Sequence, residues 1–160
     1  MKKLIVIGKL LLKTKIKENN LEGNMIECRR RAQALLEKMT LTEKVGQLAQ
    51  QYWGFNAYTR DENGEIILTE EFKKYVLRFG GIGKLYGYFR SDPWSRRGYS
   101  TGGIRAEECE KAYNILQKFV VENTRLGIPF ILACENTHGL SNPMATIFPT
   151  TGCMAATFDE

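Results

Sequence analysis

The run Ile128-Pro129-Phe130-Ile131-Leu132-Ala133-Cys134 leaves this chain fewer options than any other stretch. It is apolar without interruption and of strand length, which is the pattern of a strand covered on both faces, as in a parallel sheet. Ahead of it, from about Arg105 to Arg125, Cys109, Ala112, Leu116, Phe119 and Val120 recur on one side of a helix. Gly127 suits the left-handed position that follows a helix, and Pro129 stands where the helix could not continue. A helix, a tight connection and a buried strand are the grammar of an α/β fold.

Earlier stretches extend the same reading. From Glu27 onward, Cys28, Ala32, Leu35, Leu36 and Met39 fall on one face opposite Arg29-Arg30-Arg31, predicting an amphipathic helix. Thr40 and Glu43 have the spacing in which threonine and glutamate cap each other's free N–H groups. They open a second helix with Leu41, Val45, Leu48 and Tyr52 inward. Between Gly54 and Thr69 a loop or hairpin is expected, with a turn at Asp61-Glu62-Asn63-Gly64 and a short strand at Glu65-Ile66-Ile67-Leu68. A helix over Glu70 to Phe79, with Phe72, Val76 and Phe79 on one face, leads to a glycine-flanked strand from Gly80 to Tyr86. The stretch from Gly87 to Gly103 is irregular, and a last helix is expected over Thr150 to Phe158.

The formal charge of +5 is concentrated at one end: residues 1–31 hold nine basic side chains and three acidic ones, leaving the remainder near neutral. A near-neutral body with a basic tail is not a basic binding face, so no nucleic-acid partner is expected. Residues 1–24 begin like a signal peptide, but Lys9, Lys13, Lys15 and Lys17 interrupt the apolar run. They are read as an extension outside the fold, with residues 25–160 forming the domain and no membrane partner. Cys28, Cys109, Cys134 and Cys153 lie far apart beside a single histidine, which is poor material for a metal site. Buried free thiols in a reducing, cytoplasmic compartment are expected.

Several of these stretches, in order, resemble the N-terminal barrel of glycoside hydrolase family 3, the family of many β-glucosidases and β-xylosidases. Leu35 to Leu48 is similar to the family's opening helices and Gly80 to Leu85 to its first strand. Asn114 to Gln117, continuing through Arg125-Leu126-Gly127-Ile128-Pro129, is similar to the next helix and the approach to the second strand. Glu135 to Gly139, then Ala145 to Pro149 and Ala155 to Phe158, resemble the following substrate-site loop and helix.

The resemblance implies the incomplete N-terminal part of a (β/α)8 barrel of the TIM type, since a whole one needs about 250 residues. It implies hydrolysis of O-glycosyl bonds with retention, by two carboxyl groups about 5 to 5.5 Å apart. Both are expected beyond Glu160, so no catalytic role falls on a residue of this chain, and the chain alone is expected to be inactive. The alternative is a non-catalytic carbohydrate-binding or interaction protein derived from the barrel. The partner implied is a β-linked glycoside or oligosaccharide, with no cofactor.

The polar cluster Glu135-Asn136-Thr137-His138-Gly139 emerges where the apolar run ends, and ligands of parallel α/β folds bind at that edge. The resemblance gives Glu135 the place of an acidic residue that hydrogen-bonds sugar hydroxyls, usually an aspartate. The competing reading of Glu135 is a carboxylate that satisfies loop N–H groups. His138 is a candidate either for substrate contact or for orienting the neighbouring carboxylate. Among the aromatics, Trp53, Tyr86, Tyr88, Phe89 and Trp94 are candidates to stack on a sugar face or to pack the fold.

Overall fold

A computed structural model of the chain describes residues 23–48, 52–142 and 144–159. The chain divides into two compact units, Met1–Thr40 and Leu41–Glu160. In the first, residues 23–38 form one helix, α1, which includes two residues ahead of the expected boundary at 24. Its side chains are largely exposed; Leu35 and, just past its end, Met39 are half-buried.

The second unit opens with α2 (Leu41–Leu48), after which Trp53 and a 3-10 turn (Gly54–Asn56) lead into the hairpin of β1 (Tyr58–Arg60) and β2 (Ile66–Leu68). The turn forms where the sequence predicts it, because the Asp61 carboxylate accepts the N–H groups of Asn63 and Glu65 at 2.9 and 2.8 Å. Next come α3 (Glu70–Phe79), β3 (Lys84–Tyr86), α4 (Cys109–Asn123), β4 (Ile131–Ala133) and α5 (Thr151–Ala155). Thr69 caps α3 by accepting from Phe72 N–H, and Thr150 caps α5 by accepting from Cys153 N–H.

β3 and β4 pair in parallel, Leu85 opposite Leu132, with α4 as the crossover that parallel strands require. Among the described residues the sheets are one parallel and one antiparallel pair, and no barrel is closed. The core lies between the parallel pair, α3, α4 and the hairpin. Ile82, Leu85, Phe72, Val76, Ala112, Leu116, Val120, Tyr58 and Tyr88 are almost or wholly excluded from water. Each valine, leucine, isoleucine and phenylalanine among them contributes about 1.5 to 3 kcal/mol of burial.

Four expectations need correction. Leu41, Val45 and Leu48 do not face inward: they are 78%, 47% and 80% exposed, while Tyr52 is buried. The face of α2 turned to the core carries Glu43 and Gly46 instead. A Cβ on Gly46 would lie 2.8 Å from the Phe79 carbonyl, and Glu43 is clasped by Arg125, so close backbone approach and an ion pair set the rotation of α2. Gly80 and Gly81 belong to the end of α3 rather than to a strand, taking φ of 65° and 146°, and β3 begins only at Lys84.

The third correction concerns the apolar run. Phe130 is buried, but Ile131 is 70% exposed, because β4 has a strand neighbour on one side only among the described residues. Gly127 does take the left-handed conformation, φ 57°, but four residues past the end of α4, where its N–H closes a turn onto the Thr124 carbonyl; the residue that ends the helix, Thr124, is extended. Fourth, the four cysteines are free but none is buried; Cys28 and Cys153 sit on the exposed helices α1 and α5.

Candidate functional site

The carboxyl ends of β3 and β4 meet two loops that are tied to one another. Gly87 N–H donates to the Ala133 carbonyl and Ser91 N–H to the Ser141 carbonyl, both at 2.8 Å. Asn142, itself buried, donates to the carbonyls of Phe89 and Ile104 at 3.1 Å. These bonds fix the loop after β3 against the loop after β4 and so hold Arg90 near Glu135.

Trp53 reaches the same corner because the chain around it lies flat on the end of β3. Trp53 makes an isolated parallel bridge with Tyr86, and a Cβ on the next residue, Gly54, would fall 2.6 Å from Tyr88 N. Only glycine allows that approach. The resulting cleft has a volume of about 470 Å³ and is lined by Trp53, Lys84, Tyr86, Arg90, Trp94 and Glu135. Trp53 and Trp94 meet edge to face at 5.1 Å between ring centres and remain about half exposed.

Arg90 organises the polar side. Its Nε donates to Asp92 at 2.5 Å, its Nη1 to the Tyr86 hydroxyl at 2.7 Å and to Glu135 at 3.4 Å, and its guanidinium lies 4.5 Å over the Trp94 ring. Burial on its own would raise the Asp92 carboxyl. The Ser95 N–H and the Arg90 guanidinium outweigh that and hold it below the ordinary carboxylate range. Burial pushes the Tyr86 hydroxyl above its ordinary value, and the neighbouring Glu135 carboxylate adds to the rise.

The two residues singled out from the sequence take different positions. Glu135 lies on the cleft wall, its side chain 68% exposed, and its carboxylate faces Arg90. His138 is exposed and is not among the cleft-lining residues; its backbone carbonyl accepts the Phe148 N–H at 2.8 Å. The adjoining Gly139 makes this fold-back possible, since a Cβ there would overlap the Thr146 carbonyl. Of the five aromatics, Trp53, Tyr86 and Trp94 line the cleft. Tyr88 is buried with its hydroxyl donating to the Ala112 carbonyl, and Phe89 packs against the core.

Lys84, Arg90 and Asp92 were not legible as site residues. The signal for two of them lay in Arg90-Ser91-Asp92-Pro93-Trp94, where a cation and an anion two positions apart adjoin a tryptophan inside an irregular segment. The site holds one exposed carboxylate, one guanidinium, one ammonium and three aromatic faces, which suits recognition of a ring bearing hydroxyl groups. Among the described residues no cluster of histidine, cysteine and carboxylate side chains could hold a metal ion. Neither a family model nor a curated protein matches this chain.

Proposed function

We propose that this chain is the substrate-binding opening portion of a glycoside hydrolase barrel resembling family 3, and that its cleft binds a β-linked glycoside without hydrolysing it alone. The observation that carries the reading is the placement of Trp53 and Trp94 beside the Glu135 carboxylate at the carboxyl ends of two parallel strands. Indole faces cover the apolar face of a sugar ring, and a carboxylate and a guanidinium in one wall accept from and donate to its hydroxyls.

Catalysis with retention requires two carboxyl groups about 5 to 5.5 Å apart with room for the anomeric carbon between them. Among the described residues Glu135 is the only carboxylate lining this cleft, and Asp92 is committed to Arg90 and Ser95. That inventory supports the reading of binding without turnover. The exposed edge of β4 is consistent with further strands of a larger sheet covering it.

Titration of the full chain with methyl β-glucoside and cellobiose, followed by tryptophan fluorescence, tests the reading. The expected result is a saturable change that Trp53→Ala and Glu135→Ala each abolish, with no hydrolysis of an aryl β-glucoside above the Glu135→Ala background. A signal that never saturates with any β-glycoside would remove the binding claim, and turnover that Glu135→Ala abolishes would remove the claim of inactivity.

A further inference from the structure

Two cations face the cleft, and neither has used its full capacity. Arg90 commits Nε to Asp92 and Nη1 to Tyr86 and Glu135, while its Nη2 donates no hydrogen bond among the described residues. Lys84 is half-buried on the cleft wall. No carboxylate of the described residues lies within 4.0 Å of it, and it makes no hydrogen bond to them. The single carboxylate that lines the cleft among the described residues, Glu135, is turned to Arg90.

Lys84 has no carboxylate partner among the described residues, so an anion placed beside its ammonium gains a charge-assisted hydrogen bond that a neutral hydroxyl does not match. A neutral sugar would satisfy the hydrogen-bonding capacity of Lys84 and Arg90 Nη2 and leave the ammonium charge uncompensated. A sugar bearing an anionic group satisfies both.

We propose that the cleft prefers glycosides whose sugar ring carries an anionic substituent, a carboxylate or a phosphate, with Lys84 as the specificity-determining residue. The inference rests on the reading of the cleft as a sugar site and adds the class of sugar. Trp53 and Trp94 take the ring, Glu135 and Arg90 take hydroxyls, and Lys84 with the spare Arg90 donors takes the anion.

The full chain is titrated at low ionic strength with phenyl β-glucoside, phenyl β-glucuronide and phenyl 6-phospho-β-glucoside, and separately with inorganic phosphate. The expected result is that one or both anionic glycosides bind about tenfold or more tightly than the neutral one. The tighter of the two identifies carboxylate or phosphate as the preferred group. Lys84→Met should bring the ratio near one, Lys84→Arg should retain it, and added salt should shrink it. Equal or tighter binding of the neutral glucoside overturns the preference alone, as does a ratio that survives in Lys84→Met. Inorganic phosphate binding as tightly as the phosphorylated glycoside also overturns it, since the sugar would then contribute nothing. Binding of none of the glycosides overturns both this inference and the sugar reading beneath it.

Discussion

The Arg125 guanidinium clasps both oxygens of the Glu43 carboxylate, at 2.9 and 2.6 Å, across 82 positions of sequence. The pair is lopsided in its exposure: the Glu43 side chain is 8% exposed and that of Arg125 is 55% exposed. Deleting the exposed partner strips a buried carboxylate of this clasp, whereas deleting the buried one lets an exposed guanidinium return to water. Arg125→Ala is therefore expected to destabilise the chain more than Glu43→Gln does. Urea unfolding of both variants at pH 7 checks the order, and a larger loss in Glu43→Gln would contradict it.

A second prediction concerns the contact of α2 with the start of β3. Gly83 N–H donates to the Gly46 carbonyl at 3.3 Å, and a Cβ on Gly83 would overlap the Gln47 carbonyl. The obstacle is backbone, which cannot swing aside as a side chain would. Gly83→Ala is expected to cost about 1 to 3 kcal/mol, while Gly64→Ala, where a Cβ meets nothing within 4 Å but φ is 80°, should cost only about 1 kcal/mol. Thermal unfolding of the two variants side by side distinguishes them, and equal losses would show that the close contact at Gly83 costs no more than the backbone strain at Gly64.

The third prediction is a pH dependence. Arg60 donates to both oxygens of Glu108 at 2.8 Å, and together with the Arg105 N–H this holds the Glu108 carboxyl down at about 2. The ordinary value for an unfolded glutamate is about 4.3. A depressed carboxyl stabilises the fold above its unfolded value and loses that contribution as pH falls towards the folded one. The stability gap between the natural chain and Glu108→Gln is thus expected to be full at pH 6, to shrink between pH about 4 and about 2, and to close below that. Chemical unfolding at pH 6, 4 and 3 measures it; a gap that widens on acidification has the wrong sign.

What could be read from the sequence followed the physical range of each signal. The hairpin turn at Asp61 to Gly64, the face of Phe72 and Val76, and the inward side of α4 are set by residues a few positions apart, and all appear in the structure. The rotation of α2 was not legible, because it depends on Glu43 finding Arg125 and on Gly46 finding Phe79. Those contacts arise only after the chain has folded. The same limit applied to the site. The edge at Glu135 was visible as the end of an apolar run, but Arg90 and Lys84 reach it from the other strand's segment, and nothing in their local pattern marks that destination.

The last prediction separates positioning from binding in that cleft. Asp92 does not line it, yet it fixes Arg90: Oδ2 accepts from Arg90 Nε at 2.5 Å while Oδ1 accepts the Ser95 N–H at 2.8 Å. Asp92→Asn keeps an oxygen for the Ser95 turn and removes the charge that orients the guanidinium. Affinity for a β-glycoside is expected to fall about tenfold, equivalent to about 1.4 kcal/mol, with the melting temperature shifted by only a few degrees. If Asp92 acts through Arg90, the loss must vanish once Arg90 is gone, so Asp92→Asn added to Arg90→Ala should weaken binding no further. A purely structural role would instead give the same additional loss in both backgrounds, which makes the double-mutant cycle the deciding measurement.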